Sequence, residues 1–432
     1  MQRKYILFAL VSLAVFGISF EYGRKARAHH HTFLRNRWLA SIATRGIGGA
    51  PSRVFAEVLE NLEQGFVDRI TDERPLTQGA LRGMADALGD SRSRYLTPEE
   101  ARGLIELQDG TAHGIGAVIE PVGKAPMRRL VVVSVLPGSP AEKAGLKPGE
   151  VIMKIDDKFA LFPPMVRMQL RPRDADGKVT PGPGTPEPEK PEEIRDDDIM
   201  NLYESYRTLS EDGRSISLVV KGKAPNTLES FAVQTGPTAV RSVETSQPRP
   251  DVTLIRIGGF TRTIGPDLDR ALARASGSKG IVLDLRGCIG GPQDRALQVL
   301  SRFADGPMGS VERRTDAGMA RAKLAVNRTE NAWTGKLVVL ADKTTAGNAE
   351  WLAGALTASG RAKLVGARTY GDGFERSLIP FRDGSAYLLT TGKYFLPDGK
   401  AYAGAGLTPG VLANDFSRQV PTAVTVLQEA RG

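Results

Sequence analysis

The hydrophobic pattern changes character three times along the chain. An apolar run from Tyr5 to Phe20 follows Arg3 and Lys4 and is succeeded by Arg24, Lys25 and Arg27. It is slightly short for a spanning helix, which needs roughly 17–25 residues, and slightly long for a signal-peptide core of roughly 7–15. The basic flanks favour an uncleaved signal anchor over a cleaved signal, although Ala26-Arg27-Ala28 has the small-x-small form of a cleavage site. Both readings place the bulk of the chain outside the cytoplasm. Helical spacing then takes over. Val54, Phe55, Val58, Leu59, Leu62 and Phe66 predict an amphipathic helix over Ser52–Phe66. Leu81, Met84 and Leu88 predict another over Leu76–Leu88, with Thr77 as its N-cap, and Pro98-Glu-Glu opens a third.

From His113 to about Thr235 the pattern turns to short β-type runs at Ile115–Ile119, Leu130–Val135, Val151–Ile155 and Ser215–Val220, with one helix near Ile199–Leu209. Arg171 to Asp198 interrupts them with six prolines, many charges and almost no apolar residues, the composition of a solvated insert. Beyond Val252, strands at Ile281–Leu285, Leu337–Leu340 and Leu364–Val365 alternate with helices at Pro266–Ala275, Asp294–Phe303 and Asn348–Ala358. That alternation predicts an α/β domain.

Composition narrows the chemistry. At 432 residues the chain is long enough for several domains, and 41% hydrophobic residues suffice to build cores. The single cysteine, Cys288, excludes an internal disulfide framework and a cysteine-based zinc site. Of four histidines, three form the run His29–His31, so a Ser-His-Asp triad would have to use His113. No cofactor or metal is implied. The net charge of +9 is scattered and aromatics are only 6%, which argues against nucleic acid as a partner.

Four constellations carry candidate chemistry. Gly114-Ile115-Gly116-Ala117 leads into a strand and then "VVVSVLPGSPAEKAGLKPGEVIMKID". Such a loop can aim successive backbone N–H groups at a peptide's terminal carboxylate while the strand edge pairs with the rest. The whole stretch resembles a PDZ domain. Asp284-Leu-Arg-Gly-Cys-Ile-Gly-Gly291 places glycines at a strand end, as an oxyanion hole needs. "VVLADKTTAGNAEWLAGAL" is a strand, a tight turn and a helix, the setting of a nucleophile. "LVGARTYGDGFERSLIPFRDGSAYLLTTGKYFLPDGKAYAGAGLTPGV" follows.

Together these resemble one family, the carboxyl-terminal processing peptidases, tail-specific serine proteases of family S41. The resemblance runs from about Ser52 to Val411, broken mainly by the Pro-rich insert. It implies a multidomain α/β chain: signal anchor or signal peptide (1–28), linker (29–51), helical N-terminal region (52–108), PDZ domain (109–236) containing the insert 171–198, S41 core of the ClpP/crotonase-like type (237–415), and C-terminal helix or tail (416–432). It also implies peptide binding at Gly114, Ile115, Gly116 and Ala117, and oxyanion-type backbone at Gly290 and Asn348.

The departures fall on the chemistry. Family members usually read Gly-Ser-Ala-Ser-Ala-Ser-Glu where this chain has Thr344 to Glu350, which puts Gly347 at the serine position. The family's Gly-Lys-Gly is Gly371-Asp372-Gly373 here, so the general-base lysine becomes Asp372, and the following glutamine falls on Arg376. A glycine carries no nucleophile, and an ordinary aspartate, with a pKa of about 3.9, is a poor base for a serine proton. Thr345 and Lys343, close to Gly347 in sequence, and Cys288, beside the oxyanion-type glycines, are the residues that would have to substitute. The sequence thus favours an exported, membrane-tethered pseudoprotease, facing the periplasm, that binds protein or peptide C-termini among envelope proteins. The alternatives are an active S41 peptidase using non-standard residues, and a scaffold in a homo-oligomer or beside an active relative. A reporter fused to the C-terminus and active only in the cytoplasm should stay silent, and the chain should fractionate with membranes; reporter activity would refute this topology.

Overall fold

The computed structural model describes residues 50–122, 129–161, 198–222, 228–288 and 290–429. The expected signal anchor, the three-histidine run and the insert, apart from Asp198, lie outside the described residues. Among the described residues no helix is long and apolar enough to cross a membrane. The chain divides into two compact units, Met1–Pro75 and Leu76–Gly432.

In the first unit the helix Ala50–Gly65 forms where its 3.6-residue apolar stripe predicts. The stripe is nonetheless exposed at Val54, Phe55, Val58 and Leu62. The next helix is Arg74–Asp86, not Leu76–Leu88. Thr77 is therefore inside the helix rather than its cap. The Asp72 carboxylate accepts the Arg74 N–H (3.0 Å) and Pro75 occupies the first turn, so the chain turns helical sooner than Thr77 suggested.

The second unit contains the α/β core. A six-stranded sheet runs in the order Val243–Arg249, Val252–Ile257, Gly280–Asp284, Lys336–Ala341, Lys363–Gly366, Val411–Leu412. The first pair is antiparallel and the remainder parallel. Side chains alternate between its faces. Ile281 and Leu283 join Ile255, Val339 and Leu364 beneath the helices Ile264–Arg274, Gln293–Leu300 and Gly347–Ala358. Val282 faces the other way with Leu254, Val338 and Val365, against the C-terminal helix Phe416–Glu429. Burial on both faces explains why these strands read as unbroken apolar runs.

A five-stranded sheet contains the pairs Arg94–Leu96 with Ala386–Phe395 and Gly306–Thr315 with Gly318–Val326, and Phe374–Pro380 also pairs with Ala386–Phe395. The strand Arg94–Leu96, which the helical reading of this region did not foresee, stitches the N-terminal region into the core sheet. It passes straight into the helix Pro98–Asp109 through a capping box between Thr97 and Glu100. A seven-stranded sheet holds Ala117–Val122 at one end, beside Arg129–Val135, and encloses its own core around Leu130, Ile152, Ile155 and Leu218. Its helix is Leu202–Ser210, shorter than predicted because Asn201 caps it in a box with Glu204 and Ile199–Met200 is strand.

The C-terminal helix seats closely on the parallel sheet: a Cβ on Gly280 would lie 2.7 Å from the Leu427 side chain. Leu427→Ala should cost about 2–5 kcal/mol, the range for a buried leucine truncation. It should lower the urea midpoint with the slope preserved, and an unchanged midpoint would show that the helix contributes little to this layer.

Candidate active site

Two strand ends build the cleft. Gly280–Asp284 and Lys336–Ala341 are parallel neighbours, so the segments that leave their carboxyl ends emerge on the same edge of the sheet. That edge is where open α/β sheets place their sites. The two loops are laced together. The Gly287 N–H donates to Thr344 Oγ1 (2.7 Å), and Thr345 Oγ1 donates to the Leu285 carbonyl (3.0 Å). Asp284 grips Arg286 through two hydrogen bonds of 2.9 and 2.7 Å, and Arg286 reaches Gln419 of the C-terminal helix.

The turn after Lys336–Ala341 ends at Gly347, the first residue of the Gly347–Ala358 helix, with φ of +57°. A Cβ at Gly347 would point at the Asp372 carboxylate, 3.6 Å from Oδ2, and lie 3.8 Å from Arg376 Nη2. The structure therefore brings together the three positions that the sequence aligned with serine, lysine and glutamine, and fills them with glycine, aspartate and arginine. Asp372 is buried. Its Oδ2 accepts from Arg376 Nη2 at 3.0 Å, and its Oδ1 faces Arg92 Nε at 3.3 Å. Arg376 also pairs with Glu120 at 3.6 Å. Burial opposes the Arg376 charge, but Asp372 and Glu120 outweigh it and raise its pKa above the ordinary guanidinium value.

The residues that would have to substitute chemically are engaged elsewhere. Thr345 is fully buried, its proton directed at Leu285. Cys288 is buried, and burial pushes its thiol up to about 12 despite a hydrogen bond from the Gly290 backbone. Gly290, expected to offer its N–H to an oxyanion, is held through its carbonyl, which accepts the Phe260 N–H at 2.7 Å. Lys343 Nζ reaches the Pro148 carbonyl at 3.3 Å. Asn348 lies in the first turn of its helix, where backbone N–H groups lack intrahelical acceptors, and its side-chain Nδ2 donates to the Gly291 carbonyl at 2.8 Å. Among the described residues no group of three or more histidine, cysteine, aspartate or glutamate side chains is placed to hold a metal ion.

The first half of the PDZ-like loop is committed to internal hydrogen bonds. The Gly114 N–H donates to Asp212 Oδ1 (2.7 Å) and the Ile115 N–H to the Leu209 carbonyl (2.9 Å). Gly116 abuts Ser139, and Ala117 begins the edge strand. His113 lies between Asp212 (2.6 Å from Nδ1) and Glu106 (2.9 Å from Nε2).

Glu350 escaped the sequence reading except as an alignment anchor, yet it sets the position of Asp372. One turn along the helix from Gly347 and fully buried, its carboxylate accepts from the Gly371 N–H (2.8 Å), the Asp372 N–H (2.8 Å) and the Thr369 hydroxyl. Arg92 was equally silent, since nothing in "SRSRYL" marks it as a partner of residue 372. Burial raises the Glu350 pKa from 4.5 to about 7 against these hydrogen bonds. The folded state therefore holds the Glu350 proton more tightly than the unfolded chain. Its contribution is fully present below about pH 4.5 and is lost as pH rises through about 7. The wild type should lose roughly 3 kcal/mol across that window relative to Glu350→Gln, by chemical denaturation at a series of pH values. Parallel profiles for the two proteins would refute the raised pKa.

Comparison with known proteins matches residues 251–413 to peptidase family S41 and residues 131–158 to the PDZ domain. The carboxy-terminal processing protease CtpA of Bacillus subtilis (strain 168) is 27% identical over 346 residues, which is 79% of this chain and 65% of that protein. A probable CtpA-like serine protease of Staphylococcus aureus (strain COL) is 28% identical over 342 residues, 79% of this chain and 60% of its own length. The chain thus spans somewhat less than two thirds of these relatives. In fold it is similar to the photosystem II D1 C-terminal processing protease, with a TM-score of 0.60 at 22% identity, over 84% of this chain and 93% of that one. The α/β core of this chain thus matches peptidase family S41, with a PDZ match ahead of it, and the chain as a whole is similar to the carboxy-terminal processing proteases.

Proposed function

We propose that this chain is a catalytically inactive member of the S41 family, held at the cell envelope by its N-terminal apolar run, that binds protein or peptide chain ends without cutting them. One observation carries the reading: the Cα–Cβ direction at residue 347 is aimed at residue 372, as a nucleophile's would be at its base, but it carries no side chain, and the base position is a carboxylate flanked by two arginines. Serine attack needs an oxygen and a proton acceptor within hydrogen-bond reach. Asp372 is in reach, but its two oxygens are already engaged by guanidinium groups, Oδ2 by Arg376 at 3.0 Å and Oδ1 by Arg92 at 3.3 Å. The burial of Thr345 and Cys288 argues against a rescued nucleophile.

The purified chain should leave an unfolded casein-type substrate intact, and so should Gly347→Ser alone, whose hydroxyl would face Asp372. Cleavage by the unmodified chain that disappears in Thr345→Ala or Cys288→Ala would overturn the proposal.

A further inference from the structure

The groove between the edge strand Ala117–Val122 and the helix Leu202–Ser210 is crossed by a side chain of the protein itself. Tyr206, on that helix, donates its hydroxyl to the Ile119 carbonyl at 3.0 Å. The neighbouring strand Arg129–Val135 pairs along the opposite side of Ala117–Val122, and the Leu136 N–H takes the Gly116 carbonyl (3.0 Å). The carbonyls of Ala117 and Ile119, alternating with Gly116 and Val118, therefore face the open side, where an added strand would pair. One of those acceptors is already in use.

The phenol is held from above. The Arg94 guanidinium lies 4.7 Å over the Tyr206 ring, and Arg94 is fixed in the core sheet opposite Leu388. The next residue along the edge strand, Glu120, is tied to Arg376 at 3.6 Å. At the loop end, two of four amides are likewise committed, Gly114 to Asp212 and Ile115 to Leu209. The donors left for a terminal carboxylate are those of Gly116 and Ala117.

We propose that Tyr206 is a built-in plug of the groove: an extended peptide with a free carboxyl end pairs with the edge strand only after the phenol leaves the Ile119 carbonyl and slides from beneath Arg94. This rests on the peptide-binding reading above and adds that the resting groove is closed by the chain itself. The peptide competes with an internal hydrogen bond and a cation–π contact, so its apparent affinity falls by the fraction of molecules that are unplugged.

The test is fluorescence anisotropy on the full chain with a fluorescein-labelled ten-residue peptide ending in Leu-Ala-Val, beside its C-terminal amide. Tyr206→Phe keeps the ring and removes only the hydroxyl. It should bind the free-carboxylate peptide about fivefold more tightly than wild type, as loss of one competing hydrogen bond predicts. Arg94→Ala should shift in the same direction, and the amide should bind weakly throughout. Equal affinity of wild type and Tyr206→Phe would overturn the plug and leave peptide binding standing. If wild type, Tyr206→Phe and Tyr206→Ala all fail to bind, the plug and the peptide-binding reading fall together.

Discussion

The cleft depends on the burial of one carboxylate. Glu350 sits a single turn into the helix that begins at Gly347, and it accepts from the backbone of residues 371 and 372 and from Thr369. The helix that presents residue 347 is therefore the same body that fixes residue 372. A side chain left in solvent would not hold the loop. The desolvation that raises the Glu350 pKa is the cost of an arrangement that locates two distant sequence segments against each other.

Around that fixed point, charge links parts of the chain that are far apart in sequence. Arg92 precedes the stitching strand, Glu120 lies on the PDZ edge strand, and Arg376 and Asp372 belong to the core; they form one chain of ion pairs. Ser134 of the PDZ sheet adds a hydrogen bond to the Gly287 carbonyl (3.0 Å), beside the turn at the end of the central strand. Partly buried pairs of this kind contribute less to stability than to geometry, because desolvation offsets much of their attraction. Their effect is to set the angle at which the PDZ edge meets the cleft.

Much of this was legible in the sequence, for identifiable reasons. The parallel strands announced themselves as apolar runs because both faces are covered, and the Gly347–Asp372 pairing followed from conserved spacing within a recognised motif order rather than from any local signal. What stayed hidden is tertiary. Arg94–Leu96 is too short to show a period of two, and its strand character comes from pairing with Ala386–Leu388. Thr77 falls inside its helix because the helix already begins at Arg74, with Pro75 in its first turn and the Arg74 N–H held by Asp72. Tyr206 reads as an ordinary helical aromatic until the edge strand is laid beside it, and Arg92 as an ordinary surface cation until Asp372 is placed under it.

Gly347 has a consequence beyond reactivity. Its left-handed backbone is one that a residue with a Cβ adopts at a penalty on the order of 1–3 kcal/mol. A nucleophile at this turn would hold that strain as a permanent draft on a folding free energy of only about 5–15 kcal/mol. With glycine the turn keeps its shape at rest. The same atom that would restore chemistry would thus lower the melting temperature, and a search for reactivated variants by heat resistance would discard the ones it sought.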